Sequence, residues 1–167
     1  MKSLIISPHP DDEVLGAGGT LFKRKSSKKS NSLYWIIVTK LQANTPRIKV
    51  LRRKNEIKKI SKLFGFKKVF QLDFNTTELD SSSKKRLIKD FSDIFKKIKP
   101  YELFVPHFSD VHSDHKIVSE VISTCTKNFR FPFIKKILAY EVLSETDYNL
   151  NRKKIFFPNY YEDISKF

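Results

Sequence analysis

Residues 4–21 read L-I-I-S-P-H-P-D-D-E-V-L-G-A-G-G-T-L, and this stretch limits the fold more than any other. Leu4-Ile5-Ile6 is a short apolar run of the length of a buried strand. Pro8 and Pro10 then interrupt regular structure, because each lacks a backbone donor and has a fixed φ. From Val14 onward the apolar positions adopt helical spacing, loosened by Gly16, Gly18 and Gly19. Four ionisable groups, His9, Asp11, Asp12 and Glu13, therefore lie between the end of a strand and the mouth of a helix. Open α/β sheets place their ligands there. Neighbouring side chains of an extended segment point to opposite sides, so Asp11 and Asp12 are expected to do different jobs. If His9 and Asp12 converge on a cation, Asp11 is left to face something else, for example a water on that cation. Imidazole with carboxylate suits zinc and neighbouring divalent metals. The plainer alternative is a polar loop with a capping Asp.

A third ligand has few sources. The chain has four histidines, and three of them (His107, His112 and His115) fall in V-P-H-F-S-D-V-H-S-D-H-K, residues 105–116. This stretch also follows an apolar run, Leu103-Phe104-Val105, and precedes a helical pattern. If both strands are parallel in one sheet, both loops meet at one sheet edge. His112 and His115, three apart, would share a face at the helix start. One can ligate a metal while the other faces a substrate. Asp110 and Asp114 are candidates to orient them.

P-H-P-D-D-E at 8–13 and H-S-D-H at 112–115 resemble the two signature motifs of the PIG-L/LmbE-like deacetylases, metal-dependent enzymes that remove N-acetyl groups from glucosamine-type sugars. R-K-N-E at 53–56, Y-E at 140–141, F-F-P-N at 156–159 and D-I-S at 163–165 are similar to further family landmarks. The resemblance implies His9, Asp12 and His115 as zinc ligands, with another divalent metal as the alternative. It implies Asp11 as general base, His112 as oxyanion stabiliser or acid, and Arg53 as a substrate contact. Asp114 is grouped with Asp11 and His112 in the catalytic set. Two departures stand out. Lys40-Leu41 replaces a Thr-Gly-type turn, and the sequence stops at Phe167 where the family continues. A single deacetylase-like domain, 1–167, lacking the family's C-terminal segment is expected. It should leave an apolar strip open beside the later strands and a wide cleft.

The length suits one domain, and fifteen Phe argue against disorder. No apolar run approaches the ~20 residues of a membrane span. The sequence enters its first strand at once, so no signal peptide is expected. The single Cys125 is expected to be a buried thiol in a reduced, cytoplasmic compartment. The formal net charge is +15, which points to an acidic partner, but the lysines are spread along the chain, many of them as pairs. Only K-R-K-S-S-K-K, 23–29, is dense, and it is expected in the loop after the first helix. No zinc-finger, RNP or helix-turn-helix signature is present, so nucleic acid is not expected as a partner.

Further strands are expected at 33–38, 69–72, 103–105 and 137–142. Helices should start near Val14, Lys49, Lys84 and His115, with Gly65 and Pro100 ending two of them. Residues 148–167 read as loop. Alternating strands and helices predict a three-layer, Rossmann-like α/β domain with a mainly parallel sheet covered on both faces. The expected function is zinc-dependent hydrolysis of an N-acetyl amide on an amino sugar or its conjugate, by a monomer or an oligomer. Two competing readings are a truncated, non-catalytic metal- and sugar-binding relative and a basic nucleic-acid-binding protein. Metal analysis with a deacetylation assay separates the first two, and a salt-dependent DNA shift tests the third.

Overall fold

The computed structural model describes residues 1–27, 31–150 and 155–167. The aliphatic runs become strands β1 (Lys2–Ser7), β2 (Ser32–Lys40), β3 (Lys68–Asn75), β4 (Glu102–Pro106) and β5 (Lys136–Tyr140). They form one sheet in the order β3-β2-β1-β4-β5, with every neighbouring pair parallel. Parallel pairing needs crossovers, supplied by helices α1 (Asp12–Ser26), α2 (Arg47–Phe64), α3 (Lys84–Ile98) and α4 (Ser113–Cys125). This is the expected α/β architecture. The strand order reverses between β1 and β4, and the two His/Asp loops leave the sheet there.

Alternation along each strand sends side chains to two cores. Ile5, Trp35, Ile37 and Phe104 pack against α1 and α2 with Ala17, Leu21, Ile57 and Phe64. Leu4, Ile6, Ile36, Leu103 and Val105 pack against α3 and α4. α3 is the most fully committed helix, burying Leu87, Phe91, Ile94, Phe95 and Ile98. Each such side chain contributes roughly 1.5–3 kcal/mol. Ser83 caps α3 by accepting the Arg86 N–H, and Gly65 ends α2 at φ 68°. Cys125 is buried, and burial pushes its thiol above the ordinary range.

Three expectations change. Lys23, Arg24 and Lys25 belong to the last turn of α1 rather than to a loop; cations are favoured there by the helix dipole, and Lys25 Nζ also donates to Leu63 O (2.6 Å). Lys28 and Lys29 of the same run lie outside the described residues. The stretch after β5, which shows no helical pattern, forms a single turn, α5 (Leu143–Thr146), closed by Thr146 N–H on Val142 O (2.7 Å).

The strip beside the later strands is only partly open. Ile137 on edge strand β5 is 44% exposed, but residues 155–167, loop as expected, lie across α1 and β5. Ile164 sits where a Cβ on Gly19 would stand, 2.5 Å from its Cδ1, and Lys136 Nζ lies 3.8 Å over the Tyr160 ring. Glu162 takes Arg24 Nη2 at 2.6 Å, while Arg24 also grips buried Glu102 through Nε and Nη2, each 3.1 Å. Residues 151–154 of the expected loop lie outside the described residues. Among the described residues no helix is long and apolar enough to cross a membrane.

Candidate metal centre and its cleft

The β1–α1 loop is fastened at both prolines. Thr39 donates to Pro8 O from its N–H (3.0 Å) and its Oγ1 (2.8 Å), and Arg53 Nη1 donates to Pro10 O at 2.5 Å. Between them the His9 N–H donates to Asp12 Oδ2 at 2.8 Å, folding that carboxylate back beside the imidazole. Asp11, one residue earlier, is exposed. Glu13 is buried, accepting from Ser7 Oγ at 3.2 Å, and burial raises its carboxyl to about 8. Only its place after the Asp pair hinted at a role for it.

In the β4–α4 loop, His112 is the N-cap of α4, and its Nδ1 accepts the Asp114 N–H at 3.1 Å. His115 is in the first turn and 1% exposed. Its Nδ1 meets Asp110 Oδ2 at 2.8 Å, and the other oxygen of Asp110 accepts from Thr146 Oγ1 at 2.6 Å. Asp114 reaches away from the histidines of its own loop. Its Oδ2 meets His9 Nε2 at 3.0 Å and accepts the Thr77 N–H at 2.7 Å, while Oδ1 accepts the Leu79 N–H at 3.2 Å. Burial opposes the charge on Asp114, but the His9 contact and the two backbone donors outweigh it and hold its carboxyl low.

With the protons assigned to His9 Nε2, 3.0 Å from Asp114 Oδ2, and to His115 Nδ1, 2.8 Å from Asp110 Oδ2, the neutral rings present His9 Nδ1 and His115 Nε2 as lone pairs. These two atoms are 3.2 Å apart. Asp12 Oδ2 lies 3.4 Å from His115 Nε2 and 3.8 Å from His9 Nδ1. Three electron-rich atoms this close repel one another unless a proton or a cation lies among them. Ligands ~2.0–2.2 Å from a tetrahedral ion stand roughly 3.3–3.6 Å apart. The trio His9, Asp12 and His115 therefore has the spacing and the donor chemistry of a zinc-type site. Among the described residues His9, His112 and Asp114 also gather donor atoms within 4.8 Å. There, however, the Asp114 oxygens are already taken by His9 and two backbone donors. Burial raises Asp12 to about 6, against the pull of His115 and the His9 N–H. His115 is held above the ordinary imidazole range, because Asp110 and Asp12 outweigh the effect of burial.

His9, Asp11, Asp12, His112, His115 and Arg53 all line one cleft of about 530 Å³. That size lies in the range of small-molecule sites. Asp114 is absent from the lining and fully buried behind His9. Sequence reasoning missed Thr39, Leu72, Thr76 and Glu145 on the cleft wall, along with Thr146 behind Asp110. These come from strand ends and a one-turn helix that carry no motif.

Residues 4–126 match the PIG-L family, described as GlcNAc-PI de-N-acetylase. The chain belongs to the PIG-L family. The PIG-L match contains every residue of the donor trio together with Asp11, Arg53, His112 and Asp114. Diacetylchitobiose deacetylase of Thermococcus kodakarensis is 31% identical over 124 residues, 69% of this chain and 45% of that protein. The chain thus spans about half the length of this curated PIG-L relative. N,N′-diacetylchitobiose deacetylase from Pyrococcus horikoshii, solved with its inhibitor MPG, superposes with a TM-score of 0.67 at 25% identity, covering 85% of this chain and 61% of that one. The conserved protein TT1542 from Thermus thermophilus shares the fold, with a TM-score of 0.65 at 24% identity over 83% of this chain and 64% of that one.

Proposed function

We propose that this PIG-L family chain is a zinc-dependent amidohydrolase that removes the acetyl group from an N-acetylglucosamine-type sugar or its conjugate. The observation that carries the reading is the His9, Asp12, His115 trio, spaced for a tetrahedral ion and opening on a cleft shared with Asp11 and His112. Family membership and the deacetylase relatives support the amide and the amino sugar.

When bound, zinc would supply Lewis-acid polarisation of the acetyl carbonyl and acidify water. Asp11, exposed at the cleft, takes the proton of the attacking water. Asp114 and Asp110 hold His9 and His115 in the tautomers that face the trio. Burial, and then the neighbouring His9 ring, push His112 below the ordinary imidazole range, so at neutral pH it is uncharged. Its Nδ1 accepts a backbone N–H, which leaves Nε2–H as its donor. A neutral donor fits stabilisation of the developing oxyanion better than proton delivery. As the tetrahedral adduct collapses, the C–N bond breaks and Asp11 returns its proton to the amine. The products are acetate and the free amino sugar.

The test pairs metal titration with acetate release from N,N′-diacetylchitobiose and other N-acetylglucosamine compounds. Asp11→Asn should keep the metal and lose about 10²–10⁴-fold in kcat. Asp12→Asn should lose the metal itself. Equal metal loss in both variants would reverse the assignment of the two carboxylates, and a metal-loaded wild type that releases no acetate would end the reading.

A further inference from the structure

α2 is poorly explained by packing. Of its 18 residues only Ile57 and Phe64 are buried. It carries eight Lys/Arg against one Glu, a net of +7. Its first turn has Arg47 and Lys49, no acidic residue, and Pro46 as an N-cap without a side-chain bond. The positive end of the helix dipole makes this the wrong place for cations if stability alone were served. Among these charges Ile48 is 73% exposed, Leu51 46% and Val50 43%. Ile48 and Leu51, three apart, share a shallow outward face with Arg52, Asn55, Glu56 and Lys59, where Glu56 pairs with Arg52 at 2.9 Å and the basic residues remain in excess. The opposite side of the same helix, through Val50, Arg53 and Lys54, walls the cleft.

We propose that the N-terminal half of α2 is a docking surface for an anionic lipid bilayer. Exposed aliphatic side chains set among lysines and arginines are what an interfacial helix presents: the cations meet lipid phosphates while Ile48 and Leu51 enter the acyl boundary. Uncapped backbone N–H groups at the helix start add further donors for phosphate. A second copy of the chain is a poor occupant, because each helix would face its own like charges. Single-stranded nucleic acid is also disfavoured. The one aromatic residue of α2, Phe64, is buried, leaving no ring on this face for base stacking. The proposal is independent of the reaction carried out in the cleft.

The test is co-sedimentation of the full chain with vesicles of phosphatidylcholine alone and of phosphatidylcholine with phosphatidylglycerol in equal amounts. The wild type should bind only the mixed vesicles. Arg47→Glu with Lys49→Glu should weaken that binding at least about ten-fold, since each basic residue near an anionic surface contributes roughly five-fold. Ile48→Ser with Leu51→Ser should bind at low salt but dissociate as salt is raised, because only the electrostatic part remains. Neither Ile48 nor Leu51 lines the cleft, so this second variant should keep the wild-type melting temperature and activity on a soluble substrate. Binding that ignores lipid charge, no binding, or binding unaffected by either pair overturns the proposal. Tighter binding to duplex DNA than to the mixed vesicles would overturn it in favour of nucleic acid. A dimer dissolved by the serine variant would overturn it in favour of a second copy.

Discussion

His9 and Asp114 are 105 residues apart in the chain, yet His9 Nε2 lies 3.0 Å from Asp114 Oδ2. The carboxylate of the second motif thus orients the imidazole of the first. Two backbone N–H groups from the β3–α3 connection, of Thr77 and Leu79, fix that carboxylate in turn. Asp114→Asn should lower metal affinity about 10–100-fold, the usual effect of removing a partner behind a ligand. Competition with a chelator of known affinity measures this. Unchanged affinity would place Asp114 outside the metal site.

Metal binding should depend on pH in a defined direction. Asp12 titrates at about 6, and its protonated form is no ligand. His115, held up by Asp110 and Asp12, also takes a proton readily. An ion must displace these protons, so affinity should rise with pH through the range where Asp12 and His115 titrate and fall steeply below about 6. Calorimetry in buffers of different ionisation enthalpy should register proton release near pH 6. Affinity that rises on acidification would contradict this.

Glu13 gives a stability signature of the metal-free protein. Its carboxyl titrates at about 8 in the fold against 4.5 unfolded, because burial disfavours the charge. The folded state therefore binds more protons than the unfolded state between these values, and stability falls as pH rises from about 4.5 to 8. Glu13→Gln should abolish most of that slope, worth on the order of a few kcal/mol. Thermal melts of both proteins at pH 5, 7 and 9 decide it; parallel curves would show that Glu13 does not titrate in this range.

Gly16 should resist substitution. A Cβ there would stand 2.1 Å from Tyr140 Cδ2 and 2.8 Å from Glu141 O, and Tyr140 is anchored by its hydroxyl on Ile6 O at 2.8 Å. Gly16→Ala gains about 1 kcal/mol of helix propensity but forces a repacking that costs roughly 1–3 kcal/mol or more. A net loss in denaturant midpoint is expected. Gly18→Ala, whose Cβ would meet only ordinary contacts at 3.9 Å, should be stabilising by comparison.

The sequence carried the strands and the site loops because apolar runs and motif residues are local signals. Leu4-Ile5-Ile6 before H-P-D-D-E, and Leu103-Phe104-Val105 before the His-rich loop, were enough to place both halves of the site at one sheet edge. Which carboxylate serves which histidine was not legible. Asp114 and His115 are adjacent in the chain, but the first turn of α4 points them apart, and Asp114 reaches across to His9. Thr146 was equally hidden, since a threonine in a one-turn helix has no pattern to mark it. The packing of Ile164 on Gly19 needs two segments that share no periodicity. The span of α1 was underestimated at both ends, because Asp12 and Glu13 at its start and Lys23–Ser26 at its end read as polar loop while the helix dipole favours them.

The two halves of the site share one ruler. β1 and β4 are paired Ser3 to Glu102, Leu4 to Leu103 and Ile5 to Phe104, and each carries its loop directly from the end of that ladder. One residue gained or lost in either strand would shift its loop by about 3.3 Å and turn its side chains to the other face. That displacement is as large as the 3.2 Å between His9 Nδ1 and His115 Nε2. Length variation among descendants of this chain should therefore avoid β1 and β4 and collect at the opposite end of the sheet. The exposed turn Lys127–Arg130 is such a place, where an inserted residue bulges into solvent and leaves the ruler unread.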